Sequence, residues 1–327
     1  MEKDIQVVRF KSHDPVEHAE FLKPWDLQIG QVLPGRFEGS VDAVLTPSMI
    51  LYDERWSPRC IARGSTPPGY VLIGALVVSD PGGSTWCSAD LGPRSLATAP
   101  PAAEMCFRAP DCSRQAAILV RQEVLRQSLG EEWYDRFVDQ RFLTSRAPVG
   151  SWVGGAIIQT VRRFTTRPKL LSQSYEVRSL ESRLLDLLIR CTKTVAGPTV
   201  RGSPSRRSRA VEAALEFAAT QRGRTTALAL SSVAGVSQRT LEYAFSERLG
   251  TTPGRYLRTL RLNGVRRDLL ASDPQGTQVW RVASAWGFHN HGRFSAQYRR
   301  QFAASPSHDL RESRRAKRAS PSSLSAP

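Results

Sequence analysis

The chain has 327 residues, more than one compact core holds at about 100 to 200 residues per domain, so two domains are expected. With 40% hydrophobic and 23% charged residues, its composition is that of a folding globular protein and excludes wholesale disorder. A formal net charge of +16 demands a polyanionic partner or a strongly basic tail, and the position of the charge decides which.

Residues 201–327 carry 22 Lys and Arg against eight Asp and Glu, so nearly all the excess lies there. Only Lys317 among those cations is lysine. The rigid fork of arginine suits phosphate oxygens and guanine edges better than an ammonium does.

Residues 1–36 give no clear periodicity. From Phe37 to about Pro110 the chain is rich in Val, Ile, Leu and Thr, broken by Pro-Pro-Gly and Asp-Pro-Gly-Gly turns, which predicts a meander of short strands. Ser40 to Leu45 and Ser48 to Tyr52 alternate only partly, as strands covered on both faces do. A small barrel or sandwich satisfies this. Tyr70 to Val78 is the longest apolar run, far short of the roughly 20 residues that span a bilayer, and reads as a buried strand. After Cys112 the spacing of Ala116, Leu119, Val120 and Val124, followed by Trp133, Phe137 and Phe142, predicts helices. A further helix is predicted from Tyr175 to Thr194. Its stripe of Val177, Leu180, Leu184, Leu187, Leu188 and Cys191 serves packing within the domain or a homodimer.

Residues 197–204, Gly-Pro-Thr-Val-Arg-Gly-Ser-Pro, disfavour regular structure and mark a linker between a domain at 1–196 and one at 205–312. Residues 313–327 offer almost nothing to bury and predict a disordered basic tail. Five cysteines at irregular spacing read as reduced thiols. The mixed charges of Met1-Glu2-Lys3-Asp4 lead into no apolar signal core, and a cytoplasmic protein without membrane contact is expected.

Within 205–312 the sequence repeats. Leu241, Phe245, Leu249 and Pro253 are matched 53 positions later by Phe294, Tyr298, Phe302 and Pro306, and Gly235 by Gly287 after a one-residue shift in the turn. Apolar residues at i, i+4 and i+8, closed by a proline, describe a helix buried along one stripe. Each copy follows a glycine turn, and Ser237 and Asn290 are good N-caps. Two copies of helix, glycine turn and helix inside the basic region predict two helix-turn-helix motifs. On a 100° wheel the first copy turns Leu241, Ala244, Phe245 and Leu249 inward and leaves Gln238, Arg239, Glu242, Tyr243 and Ser246 outside. With the cap Ser237, the types at Gln238, Arg239, Glu242 and Tyr243 suit base edges: Arg for guanine, Gln for adenine, Glu for cytosine N4. The second copy leaves Gly292, Arg293, Ser295, Ala296, Arg299 and Arg300 outside, with Asn290 as cap and His291 on the flank. That face predicts base contact by Arg293, thymine-methyl contact by Ala296 and phosphate clamping by Arg299 and Arg300.

The run Gly235-Val236-Ser237-Gln238-Arg239-Thr240-Leu241, with Phe245, Leu249-Gly250-Thr251-Thr252-Pro253 and Tyr256-Leu257, resembles the first half of the AraC/XylS regulator signature. Arg261-Leu262-Asn263-Gly264-Val265-Arg266-Arg267, Trp286-Gly287-Phe288, Phe294, Tyr298-Arg299-Arg300-Gln301-Phe302 and Ser305-Pro306 resemble its second half. The resemblance implies a seven-helix unit in which a helix over Pro253 to Ala271 holds the motifs apart, with reading helices in successive major grooves about 34 Å apart. It also implies a transcription activator with a double-stranded operator and RNA polymerase as partners. Ser231 stands where the family has alanine, and Arg224-Thr225-Thr226-Ala227 replaces a Pro-Leu-Thr entry. Leu33 to Gly39, the strand-rich segment and the linking helix resemble the subgroup of ethanolamine-utilisation regulators, which implies an effector-binding and dimerising N-terminal domain. Tyr52, Trp56, Arg59, Tyr70 and Trp86 are candidates for lining an effector pocket.

No Ser/His/Asp arrangement, phosphate-cradling loop or zinc spacing is apparent, and His13, His18, His289, His291 and His308 leave the predicted strands without a histidine. No enzymatic activity, metal or cofactor is expected. The alternative regulator is one controlled by a protein partner, with no small-molecule ligand. The expected class is α+β: a strand-rich sensing domain with trailing helices, then an all-α domain with two helix-turn-helix motifs.

Overall fold

The computed structural model describes residues 6–23, 25–78, 84–138, 142–172, 174–194 and 206–318. In chain order its first part holds β1 (Gln6–Ser12), α1 (Pro15–Phe21), β2 (Asp26–Gln31), β3 (Glu38–Leu45), β4 (Met49–Ser57), β5 (Cys60–Ser65), β6 (Tyr70–Val78), β7 (Thr85–Trp86), β8 (Ala89–Asp90), β9 (Ser95–Ala99), β10 (Glu104–Arg108), β11 (Ser113–Arg121), α2 (Gln122–Leu129), α3 (Glu131–Val138), β12 (Phe142–Thr144), α4 (Val149–Thr166) and α5 (Ser174–Thr194). The strands form two sheets, ordered β1-β3-β4-β11-β6-β9-β12 and β2-β5-β10-β7-β8, which do not close into a barrel. Of the two strand architectures expected, the open pair of sheets is the one adopted.

One apolar core lies between the sheets, where Tyr52, Trp56 and Leu72 of the larger meet Ala62, Met105, Phe107 and Trp86 of the smaller. A second core covers the outer face of the larger sheet with α2 to α5. Both faces of β4, β6 and β11 are therefore buried, which explains their unbroken apolar runs. α4 comes close enough that a Cβ on Gly150 would stand 2.4 Å from the Ser95 carbonyl oxygen. The stripe on α5 is spent here: Leu180, Leu184, Leu188 and Cys191 join this core.

Two expectations need correction. Residues 113–121, read as helical, form β11, paired with β4 and β6 at the centre of the larger sheet. A short apolar run buried on both faces cannot be told from a helix by periodicity alone. His18 lies in the unplaced segment before Phe37, yet it is fully buried beside Phe37 and Trp56, and its ring bonds Ser12 Oγ and Glu54 Oε1 at 2.8 Å each.

The second part is helical: α6 (Arg206–Thr220), α7 (Ala227–Val233), α8 (Gln238–Leu249), α9 (Pro253–Ala271), α10 (Val279–Ala285), α11 (His291–Phe302) and α12 (Pro306–Arg318). These are the seven helices that the resemblance implies, with the long one over the expected span. The linker expected at 197–204 lies outside the described residues. The tail expected to be disordered from 313 is helical to Arg318, Arg, Ala and Lys being good helix formers; residues 319–327 lie outside the described set.

Candidate nucleic-acid interface

Each motif is built as its local sequence dictates. Gly235 and Gly287 take φ of 63° and 80°, the left-handed region in which a Cβ is strained. Ser237 Oγ then accepts the Thr240 N–H at 3.2 Å, and Asn290 Oδ1 accepts the Arg293 N–H at 2.9 Å, satisfying donors that begin α8 and α11. The departures from the family signature fit too. Thr226 caps α7 by accepting the Ala229 N–H, and the Ser231 hydroxyl returns a bond to the Leu228 carbonyl at 2.8 Å.

The inward stripes are buried. Leu241, Ala244, Phe245 and Leu249 join Val211, Leu215, Leu230 and Tyr256 in the first motif. Phe294, Tyr298 and Phe302 join Trp286, Phe288 and Val265 in the second. Gly264 is required here, because a Cβ would come within 2.2 Å of the Trp286 ring. The outward faces follow the wheel. Ser237, Gln238, Arg239, Glu242, Tyr243 and Ser246 are exposed, as are Asn290, His291, Gly292, Arg293, Ala296, Arg299 and Arg300, while Ser295 is half-buried.

Neighbouring helices add groups that the wheel could not supply. The Arg207 guanidinium of α6 stacks 4.9 Å from the Tyr243 ring and borders a recess with Arg239 and Thr240. On α10 the exposed Trp280 lies edge-on to His291 and carries Arg281 over its ring. Signals for these residues exist only in the packing, since α6 and α10 carry no reading pattern of their own.

The first part of the chain docks against both motifs. Arg248, in the last turn of α8, pairs with Asp90 at 3.0 Å, and the Arg59 guanidinium donates to the Arg248 carbonyl at 2.6 Å. Arg59 thus serves this joint. Arg108 of β10, 2% exposed, meets Glu212 of α6 at 3.0 Å as a charge pair; burial pushes its guanidinium down from its ordinary value while Glu212 opposes the shift. Tyr256 is buried at the same seam, its phenol pushed up to about 12 by burial against the partly offsetting Arg63.

At the second motif the joint is polar. β2 is an edge strand, and Asn263 of α9 completes it as another strand would: the Gln31 N–H donates to Asn263 Oδ1 at 3.0 Å, and Asn263 Nδ2 donates to the Gln31 carbonyl at 2.9 Å. The Gln31 amide donates to the carbonyls of Leu33, Gly35 and Gln301. Arg266 of α9 pairs with Asp14 at 2.6 Å and with Asp309 at 3.3 Å, and Asp309 accepts the Tyr298 hydroxyl at 2.7 Å. Both reading helices are thus held at their C-terminal ends, and their capped N-terminal ends face outward.

Residues 230–312 match the family model described as "Helix-turn-helix domain". The chain is 47% identical over 77 residues to the "Probable thc operon regulatory protein" of Rhodococcus erythropolis, covering 24% of this chain and 23% of that protein. It is 34% identical over 83 residues to the "XylDLEGF operon transcriptional activator" of Pseudomonas putida, covering 25% and 26%. The chain spans about a quarter of the length of these curated relatives. Among solved structures, the AraC-like transcriptional activator CuxR aligns with 78% of this chain and 94% of its own at 15% identity and a TM-score of 0.42. Residues 230–312, from within α7 into α12, thus carry a helix-turn-helix domain similar to those of operon regulators.

Proposed function

We propose that the chain is a sequence-specific DNA-binding transcription activator, with residues 205–312 binding the operator and residues 1–196 sensing a small-molecule effector. The observation that carries this is the pair of outward faces, Gln238, Arg239, Glu242 and Tyr243 on α8 and Arg293, Ala296, Arg299 and Arg300 on α11, each behind an exposed N-cap. Recognition helices read base edges with their N-terminal residues, and those are the ends left free. The relatives named as operon regulators support the same reading. In it the chain performs no catalysis, and RNA polymerase and a second copy of the chain are its protein partners.

A cavity of about 80 Å³ between the two sheets favours a small molecule over a purely protein-controlled regulator. Its wall includes Tyr52, Trp56 and Trp86, three of the five pocket candidates; Arg59 and Tyr70 lie elsewhere. The test is selection of binding sites from random duplexes. Two half-sites about 10 base pairs apart are expected. A specific-to-nonspecific affinity ratio near one at fixed salt would remove the proposal.

A further inference from the structure

The cavity is apolar on most sides, walled by Leu22, Trp25, Leu72, Leu76, Met105 and Phe107. At about 80 Å³ it exceeds the roughly 10–15 Å³ that one water needs and is about half the roughly 150 Å³ of an apolar cavity that takes benzene, so a ring is accommodated only as the lining side chains move apart. Among its polar groups Trp25 donates to the Tyr52 hydroxyl and Trp86 to the Thr98 carbonyl, and the rest lie together. Glu54 and Gln115 are cross-strand partners on β4 and β11, and Trp56 follows Glu54 by two residues on the same face of β4.

Their hydrogen bonding is incomplete in a particular way. Gln115, 9% exposed, has neither its amide oxygen nor its amide nitrogen bonded, and Trp56, 3% exposed, has a free indole N–H. Buried polar groups are nearly always paired, so an amide and an indole that line one cavity unbonded offer three N–H donors and one carbonyl acceptor to whatever fills it. Glu54, whose Oε1 bonds the His18 ring, is the one charged group on the wall, and no Lys, Arg or His stands among the described lining residues.

On the effector reading above, we propose that this cavity takes an uncharged, largely apolar ring compound bearing a carboxamide-like group, and that it rejects carboxylates. The ligand's carbonyl accepts from Gln115 and Trp56, and its N–H donates to the Gln115 oxygen. A carboxylate in the same place lacks the donor, meets no cation and faces Glu54. The aromatic walls bury the ring.

The experiment uses the full chain and three probes that share one phenyl ring: benzamide, benzoate and toluene. Tryptophan fluorescence reports binding beside Trp25, Trp56 and Trp86, and melting temperature reports it independently, because a ligand specific to the folded state raises it. Benzamide is expected to bind at least about tenfold more tightly than benzoate or toluene, the scale set by one unpaired buried polar group. Gln115→Leu is expected to bring benzamide to the level of toluene, and Glu54→Gln to narrow the gap between benzamide and benzoate. Benzoate binding as well as benzamide, benzamide binding unaltered in Gln115→Leu, or no binding of any probe would each overturn the assignment. Operator binding is measured separately: a benzamide site that leaves it unchanged keeps the ligand class and removes the effector role. Failure to select any operator touches only the regulator reading.

Discussion

The first motif shares one apolar core with the N-terminal domain, since Val32 and Ile61 lie in the same cluster as Leu241, Phe245 and Tyr256. The second motif keeps its aromatic core to itself and meets that domain through hydrogen bonds of Gln31, Gly35, Asn263 and Gln301 and the ion pair of Asp14 with Arg266. Opening the first joint exposes apolar surface at about 25 cal/mol per Å². Opening the second exchanges directional bonds for water, at a net of about 0.5–1.5 kcal/mol each. The two joints therefore open at different kinds of cost, one apolar and one polar. Asp14 links the polar joint to the cavity: it caps α1, and His18 on that helix bonds Glu54.

The largest expected effect tests whether the two cores differ as described. Phe245→Ala and Phe294→Ala each remove a fully enclosed ring, at about 3–5 kcal/mol. Phe245→Ala is expected to destabilise the N-terminal domain together with the first motif, and Phe294→Ala to loosen residues 279–318 ahead of the rest. Amide hydrogen exchange by segment reads the difference. The same protection pattern in both variants would erase the contrast between shared and private cores.

Next in size is the polar joint. Asp14→Asn removes the charge facing Arg266 while an asparagine still caps α1, so the loss is that of a partly compensated buried ion, about 1–3 kcal/mol. Exchange is expected to rise in 291–302 and to stay level in 238–249. Asn263→Ala leaves the edge of β2 open and is expected to act in the same direction, at about 1–2 kcal/mol. A rise in α8 instead of α11 in either variant would break the assignment of the polar joint to the second motif.

The helical half was legible because its information is local. Caps, glycine turns and i, i+4 stripes lie within a dozen residues of one another, and Ser237, Gly235 and Leu241 could be read together. β11 was not, because Ala116 to Val120 is apolar on both faces of a central strand and a strand's period vanishes there. α4 escaped because its glycines, poor helix formers, are what let it lie against β6 and β9. The joint between the halves was beyond reach for another reason: Gln31 and Asn263 are 232 residues apart, and neither carries any mark of its partner. For the reading faces, the sequence identified which side chains point outward, but Arg207 and Trp280 joined them only through packing.

The smallest effects separate reading from clamping. Arg239→Ala on α8 is expected to lose about 1–3 kcal/mol of discrimination at a single base pair and to leave binding to other sequences little changed. Arg299→Ala and Arg300→Ala on α11 are expected to weaken all sequences alike, and each to lower the slope of log K against log salt by about 1, because a phosphate that no arginine neutralises keeps its condensed counterion. Titrations of the selected operator and a scrambled duplex at several salt concentrations give both quantities from the same data. The two motifs then differ in kind as well as in attachment: a change in α8 alters which sequence is bound, and a change in α11 alters how tightly any sequence is held. If Arg239→Ala flattened the salt slope and Arg299→Ala relaxed one base, the roles of the two helices would be exchanged, and the motif carried on the polar joint would be the one that chooses the operator.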